Sequence, residues 1–146
     1  LLTDTVVQLY GALGLLDTEY QDFMNSAGDN LDGREQAHAP RYQFTVGGSW
    51  ELAPTLVLDM NVQGRDSFYF SDSHSGQSDA YALLNASLTW THRQWQTTLW
   101  GRNLTDRDYA VHGYYFGNDP RDGYTEKVYT QLGEPLRYGL TIDLNF

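Results

Sequence analysis

The stretch HGYYFGNDPRDGY, residues 112–124, gathers the side chains best suited to holding a small molecule. Tyr114, Tyr115 and Phe116 stand in a row, more aromatic surface than an ordinary turn needs. Tyrosine offers a rigid, amphipathic contact at little entropic cost. Arg121 follows closely and could pair with an anion. A planar or anionic ligand suits that set. The same rings could instead extend an aromatic belt or pack loop on loop.

Other reactive side chains are scattered. His38, His74, His92 and His112 show no H-E-x-x-H or comparable spacing, so no metal site is expected. GDNLDG at 28–33 lacks the ligand ladder and closing Glu of a calcium loop and reads as an Asp/Asn/Gly turn. No nucleophile elbow or P-loop is present. The sequons NAS at 85–87 and NLT at 103–105 fall within expected strands and look accidental. With no catalytic constellation, neither an enzyme nor a cofactor is expected.

Composition sets the frame for these residues. The chain has 146 residues, enough for one domain, and a net charge of -10. That charge argues against a nucleic-acid partner, which needs a basic stripe. There is no cysteine, hence no disulfide or thiol chemistry. No run of 18 uncharged apolar residues could form a membrane helix, which leaves a membrane barrel open. The chain opens directly on LLTDTVVQLYGALG, with no signal peptide, as a cut through a longer protein would. Eleven Tyr, four Trp and fourteen Gly fit an all-β protein with tight turns.

Period-2 alternation predicts six strands. They fall at roughly 5–20, 41–51, 55–70, 81–91, 94–109 and 136–146. Tyr42, Phe44, Val46 and Trp50 share one face of the second; Leu56, Leu58, Met60 and Val62 one face of the third. The fourth places Ala82, Leu84, Ala86, Leu88 and Trp90 opposite Asn85, Ser87 and Thr89, and its alternation outweighs the helix propensity of AYALLNASL. The last alternates from Tyr138 through Leu140, Ile142 and Leu144 to Phe146.

In an antiparallel meander, alternate connections share one end of the sheet. Here those at 21–40, 71–79 and 110–135 are long, and those at 52–54 and 92–94 are short. Trp50, Trp90, Trp95 and Phe146 lie at the short-turn end; Phe68, Tyr69 and Phe70 lie towards the other. Long loops on one rim, tight turns on the other and two aromatic girdles are features of a transmembrane β-barrel. A soluble β-sandwich binding module shares the alternation and is the competing reading. Membrane barrels begin at about eight strands, because backbone groups in hydrocarbon must all be paired. Six strands therefore predict the C-terminal part of a larger barrel. In that arrangement Arg41, Gln43, Asp59, Asn61, Gln63, Arg65, Trp100 and Arg102 point into the lumen, as polar lining, as plug contacts or along a ligand's route.

Three stretches carry a family resemblance: GREQAHAPRYQFTVGGSWEL, WQTTLWGRNLTDRDYAVHG and GEPLRYGLTIDLNF. Asn103, Leu104, Thr105, Asp106 and Tyr109, followed by Gly133, Pro135 and a terminal Phe146, resemble the closing part of TonB-dependent outer-membrane receptors over about residues 33–146. The resemblance implies the last six strands of a 22-stranded barrel in the outer membrane of a Gram-negative bacterium. It implies uptake of a scarce nutrient, commonly a ferric siderophore, driven through TonB. The implied partners are outer-membrane lipid, the receptor's own N-terminal plug, the TonB complex, the barrel-assembly machinery and an iron chelate. Neither plug nor TonB-contacting box has a counterpart in these residues. The family also implies that Tyr138, Ile142 and Phe146 form an assembly signal, read by strand addition. A passive porin-type channel shares the strand physics and stays open as an alternative. Asn103 to Tyr109 themselves read as a bend held by local side-chain bonds.

Overall fold

A computed structural model describes residues 6–145. Phe146 lies outside the described residues. Among the described residues ten strands follow one another: β1 (Val7–Leu15), β2 (Tyr42–Ala53), β3 (Leu56–Arg65), β4 (Phe68–Tyr69), β5 (Gln77–Ser78), β6 (Tyr81–His92), β7 (Trp95–Arg102), β8 (Ala110–Phe116), β9 (Lys127–Leu132) and β10 (Arg137–Leu144). A single 3-10 turn, Pro120–Asp122, lies between β8 and β9. No helix among the described residues is long and apolar enough to cross a membrane, which says nothing of crossing with strands.

Six strands form one antiparallel sheet in the order β1-β2-β3-β6-β7-β10. The register carries the sequence alternation across the whole sheet. Val7, Trp50, Leu58, Leu88, Leu99 and Leu140 form one continuous row, each opposite the next. The adjacent row, Gln8, Ser49, Asp59, Ser87, Trp100 and Gly139, lies on the other face. A period of two makes this sorting all-or-none, since a one-residue slip would exchange the faces.

The spanning strands touch only their hydrogen-bonded neighbours. Among the described residues no second sheet covers the apolar face, and Leu9, Val46, Leu99, Leu140 and Ile142 stay exposed there. That is the arrangement a β-sandwich cannot have, because its inner faces pack together.

Three sequence boundaries shift, each for a local reason. The first strand ends at Leu15 rather than 20, although Leu16 N still donates to Arg41 O at 2.9 Å. The third ends at Arg65 rather than 70, where the Asp66 side chain accepts from Ser67 N at 2.8 Å and turns the chain. The fifth ends at Arg102 rather than 109, because Asn103 takes a left-handed φ of 48°. The NLT sequon therefore lies beyond a strand, while NAS lies within β6.

Long connections at 16–41, 66–80 and 103–136 leave one end of the sheet. Short ones at 54–55 and 93–94 leave the other. The long loops are structured. β4 pairs with β5, β8 pairs with β9, and the buried apolar side chains among the described residues sit at this end and beside it: Leu31, Ala39, Phe68, Phe70 and Leu83. GDNLDG is a turn, with Gly28 and Gly33 at positive φ and the Asn25 side chain accepting from Ala27 N and Asp29 N.

Candidate ligand cleft and polar face

β8 positions the aromatic run. Tyr114 faces Tyr129 across the β8–β9 hairpin, and Phe116 packs on Tyr129 at 4.9 Å between centroids. The Tyr129 hydroxyl donates to Asn118 Oδ1 at 2.7 Å. The hairpin is pinned to the middle loop at Gly113, where any Cβ would lie 2.2 Å from the Phe70 ring. Only glycine admits that approach.

Between this hairpin and the 71–74 segment lies a cleft of ≈ 280 Å³. Phe70, His74, His112, Tyr114, Tyr115 and Phe116 supply its rings, with Ser71 and Ser73 beside them. His74 stacks on Tyr115 at 5.2 Å, and His112 meets Tyr114 edge-on at 4.6 Å. The three expected aromatics thus come together and stay half exposed. Burial, then the nearby Arg34, depress the His74 pKa against the opposing pull of Asp72, so the ring is neutral at pH 7. A ring-lined slot of this kind can stack a planar group.

Arg121 does not join them. It lies outside the cleft lining and forms a fork with Asp119, through Nε to Oδ1 at 3.0 Å and Nη2 to Oδ2 at 2.9 Å. That hydrogen bonding holds the Asp119 carboxyl below its usual range. His74 and Phe70 are the lining residues that spacing missed. Nothing in the order of residues brings position 74 beside 115; the pairing arises only when two loops dock.

The polar face carries two grooves. Asp59, Asn61, Gln63, Trp100 and Arg102 line one of ≈ 610 Å³; Gln43, Gln63 and Arg65 line one of ≈ 470 Å³. Arg65 lies 5.9 Å from both the Phe68 and Tyr81 rings. Arg41 stands apart from both grooves, just before β2, with its Nε 2.5 Å from Glu35 Oε1. Asn85 Nδ2 donates to Asn61 Oδ1 at 2.9 Å, and Asn103 N donates to Asn85 Oδ1 at 3.1 Å. The Asn103 side chain then joins Arg107 and Glu134 through both its amide nitrogen and its oxygen. Tyr138 and Ile142 project from the opposite, apolar face of β10 and are exposed.

No protein-family model matches the chain. Two solved structures share its architecture. The siderophore receptor PiuA from Acinetobacter baumannii superposes with a TM-score of 0.74 over 98% of this chain and 20% of its own, at 16% identity. The ferric-catecholate import receptor Fiu from K12 E. coli, in its closed form, gives 0.70 over 99% of this chain and 19% of its own, at 18% identity. The sheet has the fold of the corresponding part of these two receptors. The chain spans about a fifth of the length of the receptors it matches. In this barrel sheet β1 and β10 are the two edges, each paired on one side only among the described residues.

Proposed function

We propose that the chain is the C-terminal part of the barrel of an outer-membrane, TonB-coupled uptake receptor whose ligand is a ferric siderophore. One observation carries this reading: the barrel sheet leaves a complete apolar face uncovered and keeps a grooved polar face opposite. Such a sheet is at rest between hydrocarbon and an aqueous interior. The two open edges call for further strands, since an unpaired backbone group in lipid costs several kcal/mol. In this reading Tyr114, Tyr115 and Phe116 contact the ligand. Arg121 would have to leave Asp119 to help. Gln43, Asp59, Asn61, Gln63, Arg65, Trp100 and Arg102 meet the plug or line the route, and Arg41 stands at the rim. Tyr138, Ile142 and Phe146 are read during assembly and then face lipid. The names of both structural neighbours, a siderophore receptor and a ferric-catecholate import receptor, support the choice of ligand over other nutrients.

The test is uptake of radiolabelled iron as a catecholate chelate by iron-starved cells carrying the complete receptor. Uptake should need both the receptor and TonB, and Tyr114→Ala with Tyr115→Ala should lower ligand affinity about tenfold, as loss of two contact rings would. Uptake that persists without TonB would instead mark a passive porin-type channel. Unchanged affinity in the double variant would remove the tyrosines from the ligand site.

A further inference from the structure

The first and third long loops meet at two imidazoles. His38, from the loop before β2, stacks on His112 of β8 at 5.0 Å between centroids and 8° between planes. His38 also leans on Phe68 of β4 at 5.4 Å, and its backbone N donates to Tyr69 O at 2.9 Å. It takes a left-handed φ of 57°, which its neighbours must hold in place. One histidine thus ties together segments of all three long loops.

The surroundings are basic. From β3 the charged group acting on His38 is Arg65, and from β8 it is His112, with Tyr114 beyond it; β4 contributes only the Phe68 ring and backbone groups. On the loop that carries His38, Glu35 is held by Arg41 at 2.5 Å, and Arg34 sits over the Tyr69 ring. No carboxylate among the described residues acts on His38 to offset a second positive charge.

We propose that the His38–His112 stack is a proton-operated latch that joins the long loops while both rings are neutral and releases them when both are charged. Two imidazolium rings in face-to-face contact repel, and Arg65 adds to that repulsion. Burial first, then His112 and Arg65, lower the His38 pKa against a backbone hydrogen bond at Phe70 that raises it. The sign follows from linkage. A lowered pKa means that the docked state disfavours the proton, so the latch is fully stable above about pH 6.5, the value of a free histidine. Its stability falls as pH drops below that value. Because His112 and Phe70 also line the aromatic cleft, release would open one wall of it. The latch does not depend on what that cleft binds.

Spin labels on Gln36→Cys and Thr130→Cys of the complete receptor, both exposed positions, report the separation of the two loops. Pulsed electron paramagnetic resonance in bicelles should give one narrow distance at pH 7.5. At pH 5 it should give a longer, broader one, with the midpoint below about 6.5. His112→Phe, which keeps a ring without charge, should stay narrow at pH 5. His38→Asn, whose side chain tolerates the left-handed backbone, should give the same distribution at both pH values. Heat-modifiable migration on gels would confirm that every variant is a folded barrel. An identical wild-type distance at both pH values, or a wild-type transition kept by either variant, overturns the latch.

Discussion

Asn103 does the work of a joint. Its left-handed backbone ends β7, and its side chain bonds Arg107 N, Arg107 O and Glu134 O while only 3% exposed. Asp106 accepts from Leu136 N, and the Tyr109 hydroxyl accepts from Glu134 N. The Tyr109 ring covers Gly133 so closely that a Cβ there would lie 2.0 Å away. So Asn103, Asp106 and Tyr109 clamp the segment that leads into the final strand. Asn103→Ala removes the donor to the Arg107 and Glu134 carbonyls and places a Cβ residue without a stabilising side chain in the left-handed region. The expected cost is about 2–4 kcal/mol, read as a lower urea midpoint of the detergent-solubilised receptor. The Asn-Leu-Thr-Asp stretch announced the bend in the sequence, because Asn and Asp tolerate left-handed backbone. Its remote partners, Asn85 and Glu134, could not be read there, since they depend on register across three strands. The same limit hid Phe70 and His74 from the cleft, while the run Tyr114–Phe116 was visible simply because three rings stand together.

Strands were legible in proportion to their regularity. β2, β6 and β10 alternate cleanly, and the structure keeps them with small changes at the ends, while β3 keeps its alternating part and stops at Arg65. β4 was read as the tail of the third strand, and β5, β8 and β9 were not read as strands. Two are only two residues long, and β8 is an aromatic run whose pairing is fixed by the approach of Phe70 to Gly113. The faces give a sharp prediction about elements. Leu99 sits mid-strand in the apolar row between Leu88 and Leu140, whereas Gln63 lies on the polar face between Thr45 and Leu83. Leu99→Arg should destabilise the receptor by about 2–4 kcal/mol in a bilayer, the cost of Arg on a lipid-facing strand near the midplane. Gln63→Arg should cost less than about 1 kcal/mol. Equal effects in reversible unfolding from lipid vesicles would show that the two faces do not meet different media.

At the scale of the molecule, the sheet alone is not a self-sufficient object. Its strands leave their apolar residues outside, and its two edges carry unmatched backbone rows. In the proposed receptor, a chain built this way must reach the membrane before it collapses on itself. Removing Phe146 should therefore lower the amount of complete receptor in the outer membrane, measured by insertion kinetics into vesicles that contain the assembly machinery. Insertion at the wild-type rate would limit that ring to a place in the aromatic belt.

The interlocked loops have an immunological corollary. Arg34 reaches the Ser71 and His74 carbonyls, His38 leans on Phe68, and Phe70 lies against Gly113, so three distant stretches of chain form one cap. An antibody raised on the intact pole would see a mosaic surface that no single stretch reproduces. Synthetic peptides copied from one loop would raise sera blind to the native cap, whereas a graft carrying all three loops on another barrel would restore recognition.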